Sequence, residues 1–243
     1  MRLTTSPQRR YRLADHVRAC VHDGHVILLD LRRDKYVGIA GDQQAALSEI
    51  IAGWPAEGGA SDSSSAGCPL ESWLHRLAAQ HMLSDASTTA PPCAPLAEPL
   101  ESLDIECGVR PPRIGWQRPM NLAWAFTIAT YWIKHLSLAE IESRIGLLRR
   151  PAGSGDWAAS TAHLRDAVSS YTRLRPFVFT VHDQCLRDSL TLLRFLATEG
   201  LFAQWVIGVR TRPFAAHSWL QTGHVVLNDV REHVRTYTPI LVV

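Results

Sequence analysis

Residues 183–189 read Asp-Gln-Cys-Leu-Arg-Asp-Ser, and they mark the point where a polar loop runs into an apolar helix. From Cys185 onward, leucine and alanine recur at spacings of three and four residues, which is the buried stripe of an amphipathic helix. Gly200 ends this pattern. A cysteine in the first turn of a helix lies at the positive end of the backbone dipole, which favours thiolate over thiol. The stretch therefore predicts a helix that presents a nucleophilic sulfur at Cys185.

A base for this sulfur is predicted in the strands that follow the helix. Residues 202–209 alternate as a half-buried strand does, and Pro213 ends that pattern. Two further strands flank residues 222–224, which read Thr-Gly-His, and a three-residue loop containing glycine is a common hairpin connection. With that loop, His217 faces Asp229, and facing residues have Cβ atoms about 4.5–5.5 Å apart. The register therefore predicts an imidazole beside a carboxylate.

These three residue types form a nucleophile, a base and an orienting group. A carboxylate at Asp229 fixes the tautomer of His217 and supports its cationic form, and the other ring nitrogen can take the thiol proton of Cys185. Each residue also has an ordinary structural interpretation, because a cysteine at a helix start is often a small core residue and a His–Asp pair is often a polar contact. The conjunction of all three, in this order along the chain, favours a catalytic triad.

The same residues carry a resemblance to a known family. The leucine-rich helix that begins at Cys185, the His-Ser-Trp of residues 217–219 and the Val-Leu-Asn-Asp that ends at Asp229 resemble the transglutaminase-like cysteine proteases of lasso-peptide biosynthesis, the B proteins. The spacing between the three residues fits that family, and the resemblance covers roughly residues 115–243. It implies that these three residues are catalytic. Gln221 departs from the broader transglutaminase-like group, which often carries Glu there, and the predicted register points Gln221 to the triad side.

The N-terminal part predicts a small sheet followed by helices. Three strands are predicted over residues 17–21, 26–31 and 35–39. Asp23-Gly24 is a strong hairpin signal between the first two strands. Helices are predicted over residues 42–52 and 70–82, each with an apolar stripe. Three strands followed by helices make a small α+β, winged-helix-like unit.

This unit is similar to the RiPP recognition element, the PqqD-like domain that captures leader peptides. In lasso B proteins that domain is either a separate chain or fused ahead of the protease. A leader peptide there adds as a strand to an exposed sheet edge, with side chains in the groove between the third strand and the last helix. The leader-binding residues that the resemblance implies are Tyr36, Val37, Trp73, Leu74 and Leu77. The alternative is that Leu74 and Leu77 simply pack beneath the sheet.

Composition divides the chain of 243 residues into two domains and a linker. We predict a recognition domain over residues 1–84, a proline-rich linker over 85–112, and a protease domain over 113–243. Residues 120–133 predict a buried helix beneath the helix that begins at Cys185. Helices before this central helix and an antiparallel sheet after it are the order of a papain/transglutaminase-like α+β protease.

Charge, hydropathy and cysteine usage exclude several classes of function. The net charge of +2 predicts no strong attraction to nucleic acid or to a membrane surface. No run of about 20 apolar residues and no signal peptide is present, so a cytoplasmic location is expected. The five cysteines form no C-x-x-C pair, and they predict neither a disulfide framework nor a metal site.

The sequence therefore predicts a cysteine peptidase that binds the leader of a ribosomally synthesised lasso precursor peptide and cleaves at the leader–core junction. Cleavage would precede macrolactam closure by a partner synthetase. The backbone N–H of Cys185 is expected in the oxyanion hole, and Gln184 is a possible side-chain donor.

The resemblance implies two partners, the precursor peptide and an ATP-using, asparagine-synthetase-like macrolactam synthetase. The chain contains no Gly-rich phosphate loop, so no cofactor is expected on it and any ATP dependence is assigned to the synthetase. Two other functions stay open: a transglutaminase or amidase-type acyl transferase with the same triad, and a non-catalytic module that delivers the leader to another enzyme.

Overall fold

The fold is taken from a computed structural model of the chain. The residues it describes are 11–55, 70–84, 94–103, 115–148, 157–179 and 185–243. Two compact units emerge: Met1–Cys93 with Val209–Ala215, and Ala94–Gly208 with Ala216–Val243. We call them unit 1 and unit 2 and describe each separately.

Unit 1 contains the three predicted strands. In the range that ends at residue 84, its strands are β1 (Tyr11–Leu13), β2 (Val17–His22), β3 (His25–Asp30), β4 (Lys35–Ile39), β5 (Ile51–Ala52) and β6 (Leu83–Ser84). Its helices are α1 (Gly41–Ile50) and α2 (Leu70–Ala79). The sheet β2-β3-β4 is antiparallel throughout. Asp23 and Gly24 turn the chain from β2 to β3, with the positive φ angles of 48° and 68° that an Asp-Gly hairpin turn requires.

A second small sheet in unit 1 was not predicted. Its strand order is β5-β1-β6, with β1 parallel to β5 and antiparallel to β6. These strands have only two or three residues each, so they carry no alternation that a sequence pattern could reveal.

The core of unit 1 lies between the sheets and the two helices. Its buried residues are Leu13, Ala14, Val17, Val26, Leu28, Ile39, Leu47, Ile51, Trp54, Leu77 and Met82. Leu77 is 1% exposed, so it belongs to the core and is not available to a bound peptide. The prediction of Leu77 as a leader-binding residue is therefore wrong, because one apolar stripe of α2 serves the core of its own unit.

Unit 2 is a helical layer with a mixed sheet. Its helices are α3 (Gln117–His135), α4 (Leu138–Leu148), α5 (Trp157–Leu174), α6 (Cys185–Thr198) and α7 (Arg231–Val234), with a 3-10 turn at Arg175–Phe177. Its sheet contains β7 (Glu101–Ser102), β8 (Gln204–Thr211), β9 (Phe214–Thr222), β10 (Val225–Val226) and β11 (Thr238–Val242), in the order β11-β8-β9-β10-β7.

Helix α6 lies at the centre of unit 2 and packs along α3. Leu190 and Leu193 of the predicted apolar stripe are buried, and Phe195, outside that stripe, is buried as well. Helix α3 differs from its prediction as a buried helix, since it buries one face only. Met120 and Trp124 on its other face are more than half exposed.

Part of the predicted linker is a structural element of unit 2. Strand β7 pairs in parallel with β10, and the N–H groups of Leu100 and Leu103 donate to the carbonyls of His224 and Val226. Proline-rich composition predicts a spacer, but it does not reveal that a two-residue strand completes the sheet edge.

Over the described ranges, no helix has both the length and the apolar character needed to cross a bilayer.

Candidate active site

Cys185 is the first residue of α6, and its side chain is half-buried. One turn further along the helix, the Oγ atom of Ser189 lies 2.8 Å from the carbonyl oxygens of both Cys185 and Ser218. Because Ser218 follows His217 in β9, this contact holds the first turn of α6 against the strand that carries the candidate base.

His217 connects the thiol to the carboxylate. Its Nε2 lies 2.5 Å from Oδ2 of Asp229, and its ring also forms a hydrogen bond with Cys185. Since Nε2 faces the carboxylate, Nδ1 is the nitrogen left for the sulfur. The structure therefore brings Cys185, His217 and Asp229 into one hydrogen-bonded series.

The strand register behind this series differs from the predicted one by a residue. Thr222 lies opposite Val225, so the hairpin loop contains two residues, Gly223 and His224, rather than three. Gly223 has a φ of 56°, which suits the first position of a two-residue hairpin turn. In this register, Asp229 is not directly opposite His217.

Asp229 reaches His217 from outside the ladder. Strand β10 ends at Val226, the N–H of Leu227 still donates to the carbonyl of Leu220, and the chain then bends over residues 227–229. The bend turns the Asp229 carboxylate back towards β9. The predicted pair is thus present, but the reason given for it, direct cross-strand opposition, is wrong.

The charges of the series support a thiolate–imidazolium pair. Burial raises the pKa of the Cys185 thiol, but hydrogen bonds with His217 and with the backbone of Ser218 outweigh burial and leave the pKa below its usual value. Burial lowers the pKa of His217, but the hydrogen bonds with Asp229 and Cys185 raise it overall to about 9. The imidazole therefore stays protonated at neutral pH, and the lowered pKa of Cys185 favours its thiolate.

A buried polar cluster ties α6 to the bend that carries Asp229. Asp188 is 4% exposed; its Oδ1 accepts hydrogen bonds from the Tyr171 hydroxyl and Nε of Arg175, both at 2.8 Å, and its Oδ2 accepts one from Nδ2 of Asn228 at 3.0 Å. Oδ1 of Asn228 accepts from the N–H of Leu220 in β9 at 2.8 Å. Burial and the Asp188 carboxylate raise the pKa of Tyr171 well above its usual value, so the phenol remains a donor.

Aromatic rings surround the His217 imidazole. Its ring centroid lies 6.0 Å from that of Trp219 in a stacked arrangement, 5.2 Å from Tyr237 and 4.7 Å from His233. The stacked Trp219 ring and the tilted Tyr237 ring restrict rotation of the imidazole and suit a cationic ring, because aromatic faces attract positive charge.

A comparison with protein families identifies the domain that holds this series. The family model described as the Transglutaminase-like superfamily matches residues 124–242, a range that includes Cys185, His217 and Asp229. This part of the chain is similar to the transglutaminase-like superfamily. No solved structure matches the chain.

One curated relative of this transglutaminase-like protein is the Microcin J25-processing protein McjB of Escherichia coli. The two are 49% identical over 45 residues, which is 18% of this chain and 22% of that protein. The match thus spans about a fifth of the relative's length. Together the two matches confirm the resemblance to the lasso-peptide B proteins.

Gln221 has a structural role in the transglutaminase-like domain. Its side chain is fully buried, and its Nε2 donates to the carbonyls of Ala97 at 2.6 Å and Gly223 at 2.7 Å. Its Oε1 accepts from the indole N–H of Trp219 at 3.2 Å. Gln221 therefore lies on the same side of β9 as His217 and Trp219, as predicted, but its buried amide is occupied by structural hydrogen bonds.

Two predicted features of the oxyanion hole remain predictions. Gln184 lies outside the described residues. The backbone N–H of Cys185 lies at the start of α6, where helix N–H groups have no intrahelical acceptor.

The other residues that the resemblance predicts to bind the leader lie in unit 1. Tyr36 and Val37 are half-buried in β4, and Trp73 and Leu74 are half-buried on α2. Val37, Trp73 and Leu74 pack against the core of unit 1 as well as facing outward, so their role in binding a peptide stays a prediction.

Sequence reasoning missed His233, which contacts the Asp229 carboxylate. Its Nδ1 lies 3.0 Å from Oδ2 and 3.2 Å from Oδ1. One donor atom from each of His217, Asp229 and His233 lies within 4.8 Å of the others, a set that could also hold a cation. The spacing of four residues between Asp229 and His233 could have suggested the contact. It did not, because a single helical turn has no apolar periodicity by which a helix could be predicted there.

Proposed function

We propose that this protein is a cysteine peptidase that removes the leader from a lasso precursor peptide at the leader–core junction. The hydrogen-bonded series of Cys185, His217 and Asp229 carries the proposal. The match to a protein named for processing Microcin J25 supports peptide processing as the reaction. We place the reaction in the cytoplasm, where a newly made precursor is found.

The chemistry follows from the ion pair. The Cys185 thiolate attacks the scissile carbonyl carbon, and a C–S bond forms. His217 then gives its proton to the leaving amide nitrogen as the C–N bond breaks, which leaves an acyl-enzyme. Water then attacks the thioester carbon while His217 takes the water proton; a C–O bond forms, the C–S bond breaks, and the leader leaves as a carboxylate with the Cys185 thiolate restored. Asp229 holds the tautomer and orientation of His217 throughout.

Leader recognition is assigned to unit 1. Strand β4 is the last strand of its sheet among the described residues, and the leader is proposed to add along it as a further strand. Tyr36 and Val37 on β4, with Trp73 and Leu74 on α2, are the proposed contacts. This assignment keeps the PqqD-like interpretation of residues 1–84 as a proposal.

The precursor peptide and an asparagine-synthetase-like macrolactam synthetase are the proposed partners. This chain is proposed to bind no nucleotide or metal, so any ATP requirement arises through the synthetase. Cleavage measured with the purified chain alone, then with synthetase, then with synthetase and ATP, assigns the requirement to one component.

The central test uses the full chain and a synthetic lasso precursor peptide that contains leader and core. We expect mass spectrometry to show separated leader and core with the wild type and no cleavage with Cys185→Ala. Cys20→Ala is the matched control, because Cys20 is a buried cysteine of unit 1 remote in sequence from the series. Cleavage that persists in Cys185→Ala would refute the proposal.

A separate binding measurement tests unit 1. Fluorescence anisotropy of a labelled leader peptide, with Cys185→Ala to prevent turnover, should show binding that Tyr36→Ala weakens. Lys35→Ala is the control, since Lys35 is an exposed neighbour on the same strand. If the leader bound with equal affinity to Cys185→Ala alone and to this protein carrying Tyr36→Ala or Lys35→Ala, β4 would be refuted as the binding edge.

The family match favours acyl transfer as a second candidate. The same acyl-enzyme can react with an amine instead of water. Incubation with precursor and an isotopically labelled amine separates the two outcomes, because transfer leaves the amine on the leader and hydrolysis leaves a carboxylate.

A further inference from the structure

We propose that His233 is a positioning residue, which holds the Asp229 carboxylate in the orientation that His217 requires. This inference rests on the proposed function of the Cys185–His217–Asp229 series. It assigns a fourth residue to that site, from a part of the chain that sequence patterns did not single out.

The contacts of the Asp229 carboxylate carry the argument. Oδ2 lies 2.5 Å from Nε2 of His217 and 3.0 Å from Nδ1 of His233. Oδ1 accepts from the N–H of Val230 at 2.7 Å and lies 3.2 Å from the same Nδ1 of His233. Both oxygens are therefore restrained, and His233 contacts both of them.

The location of Asp229 explains why it needs this restraint. Asp229 lies in a bend after β10 ends, so no ladder hydrogen bond on either side fixes its backbone direction. A carboxylate on a bend can rotate about its side-chain torsions. A second donor, Nδ1 of His233, in contact with both oxygens, limits that rotation and keeps Oδ2 aimed at His217.

The fold fixes the His233 ring as well. His233 lies four residues after Asp229 on the single turn α7, and the N–H of Arg231 at its start donates to Oγ of Ser102 at 2.6 Å. Val234, the next residue, is 1% exposed and anchors the turn. The His233 ring meets Tyr237 edge-on, with centroids 5.4 Å apart and an interplanar angle of 86°. Packing thus orients the His233 imidazole independently of its contact with the Asp229 carboxylate.

The chemistry of the contact needs only a neutral imidazole. With the proton on Nδ1, His233 donates to the carboxylate and leaves Nε2 towards solvent, since the side chain is 43% exposed. In asparagine the amide nitrogen Nδ2 is bonded directly to Cγ, just as Nδ1 is in histidine. His233→Asn should therefore retain the donor, while His233→Ala removes it.

The experiment compares these two variants with a matched control. His163 on α5 is 45% exposed and pairs with the Glu199 carboxylate. Glu199 follows the C-terminal end of α6, whereas Cys185 begins that helix. His163→Ala removes a similar histidine–carboxylate pair without touching the series. Thermal unfolding of each variant confirms that it is folded before rates are compared.

Two readouts are measured on each folded variant. The first is the rate of precursor cleavage, where we expect His233→Ala to lower kcat about tenfold with little change in KM, the effect of one charge-assisted hydrogen bond. The second is alkylation of Cys185 by iodoacetamide across pH, which needs no substrate. Its inflection should move to higher pH in His233→Ala, and His233→Asn should restore most of both values.

The results separate failure of this inference from failure of the proposed function. If His217→Ala shifts the alkylation profile but His233→Ala matches the wild type, the inference is overturned and the series stands. If His233→Asn is as impaired as His233→Ala, or if a chelator abolishes wild-type cleavage, donation by Nδ1 is not the role of His233. If His217→Ala changes nothing, the series and the inference fall together.

Discussion

Asp229 lies beside His217, with Oδ2 2.5 Å from Nε2, although the two residues are not paired in the sheet. The contact depends on the early end of β10 and on the bend after it. The orientation of the imidazole is therefore a property of the connection between β10 and α7 rather than of the β9–β10 ladder.

Cleavage and thiol reactivity should diverge above about pH 9. The Cys185 pKa lies below its usual value because the hydrogen bond from His217 outweighs burial, so alkylation should already be fast at neutral pH. As pH rises through about 9, His217 loses its proton, but the thiolate remains. Alkylation should then persist while cleavage falls, because no proton is left for the leaving nitrogen.

The measurement is a pair of pH profiles on the same preparation, one of iodoacetamide labelling and one of precursor cleavage. His217→Ala should move the labelling inflection upward, since burial then acts on the thiol without its partner. Parallel loss of labelling and cleavage on the alkaline side would contradict a separate role for the His217 proton.

Asp229→Asn should retain more activity than Asp229→Ala. The amide oxygen can still accept from Nε2 of His217, and Cys-His-Asn proteases work with such a group. We expect kcat to fall about tenfold for Asn and about 100-fold or more for Ala, from the strength of hydrogen bonds to charged groups. The alkaline limb of the cleavage profile should move to lower pH in both variants, because Asp229 helps to raise the His217 pKa.

Asp188→Asn should destabilise unit 2 by about 2 kcal/mol, the strength of hydrogen bonds to a buried charged group. The substituted amide would face the Asn228 amide nitrogen, and Asn228 cannot reverse without leaving the Leu220 N–H unpaired. Urea unfolding measures the change. Glu232→Gln is the control, since Glu232 forms an exposed pair with Arg231 and should leave the unfolding midpoint unchanged. Equal midpoints for both variants would refute a structural role for Asp188.

Gly208→Ala should displace the rings that flank His217. A Cβ at Gly208 would lie 2.8 Å from the Trp219 ring and 2.9 Å from Cβ of Tyr237, closer than packed atoms tolerate. We expect a loss of about 1–3 kcal/mol in stability from overpacking, with a fall in activity. Gly146→Ala meets open space on α4 and should stabilise the protein by about 0.5–1 kcal/mol instead. A neutral Gly208→Ala would show that the rings are free to move.

Several features could be predicted from sequence because they depend on near neighbours. The start of α6 follows the spacing of apolar residues, and the β2–β3 turn follows the Asp23-Gly24 pair. The adjacency of His217 and Asp229 was also predicted, but through a three-residue loop that the chain does not use. The mistake arose because Gly223 fits loops of either length, and only the pairing of Thr222 with Val225 decides between them.

The sequence by itself determined that a thiol begins an amphipathic helix, and that an imidazole and a carboxylate follow it in order. Such features need only residue type and local periodicity. Tertiary structure alone decided that Leu77 is core, that Gln221 is buried among backbone carbonyls, and that His233 shares the Asp229 carboxylate. These outcomes depend on how a helix packs on a sheet, on contacts between distant segments and on the direction of an irregular bend, none of which leaves a periodic signal in the chain.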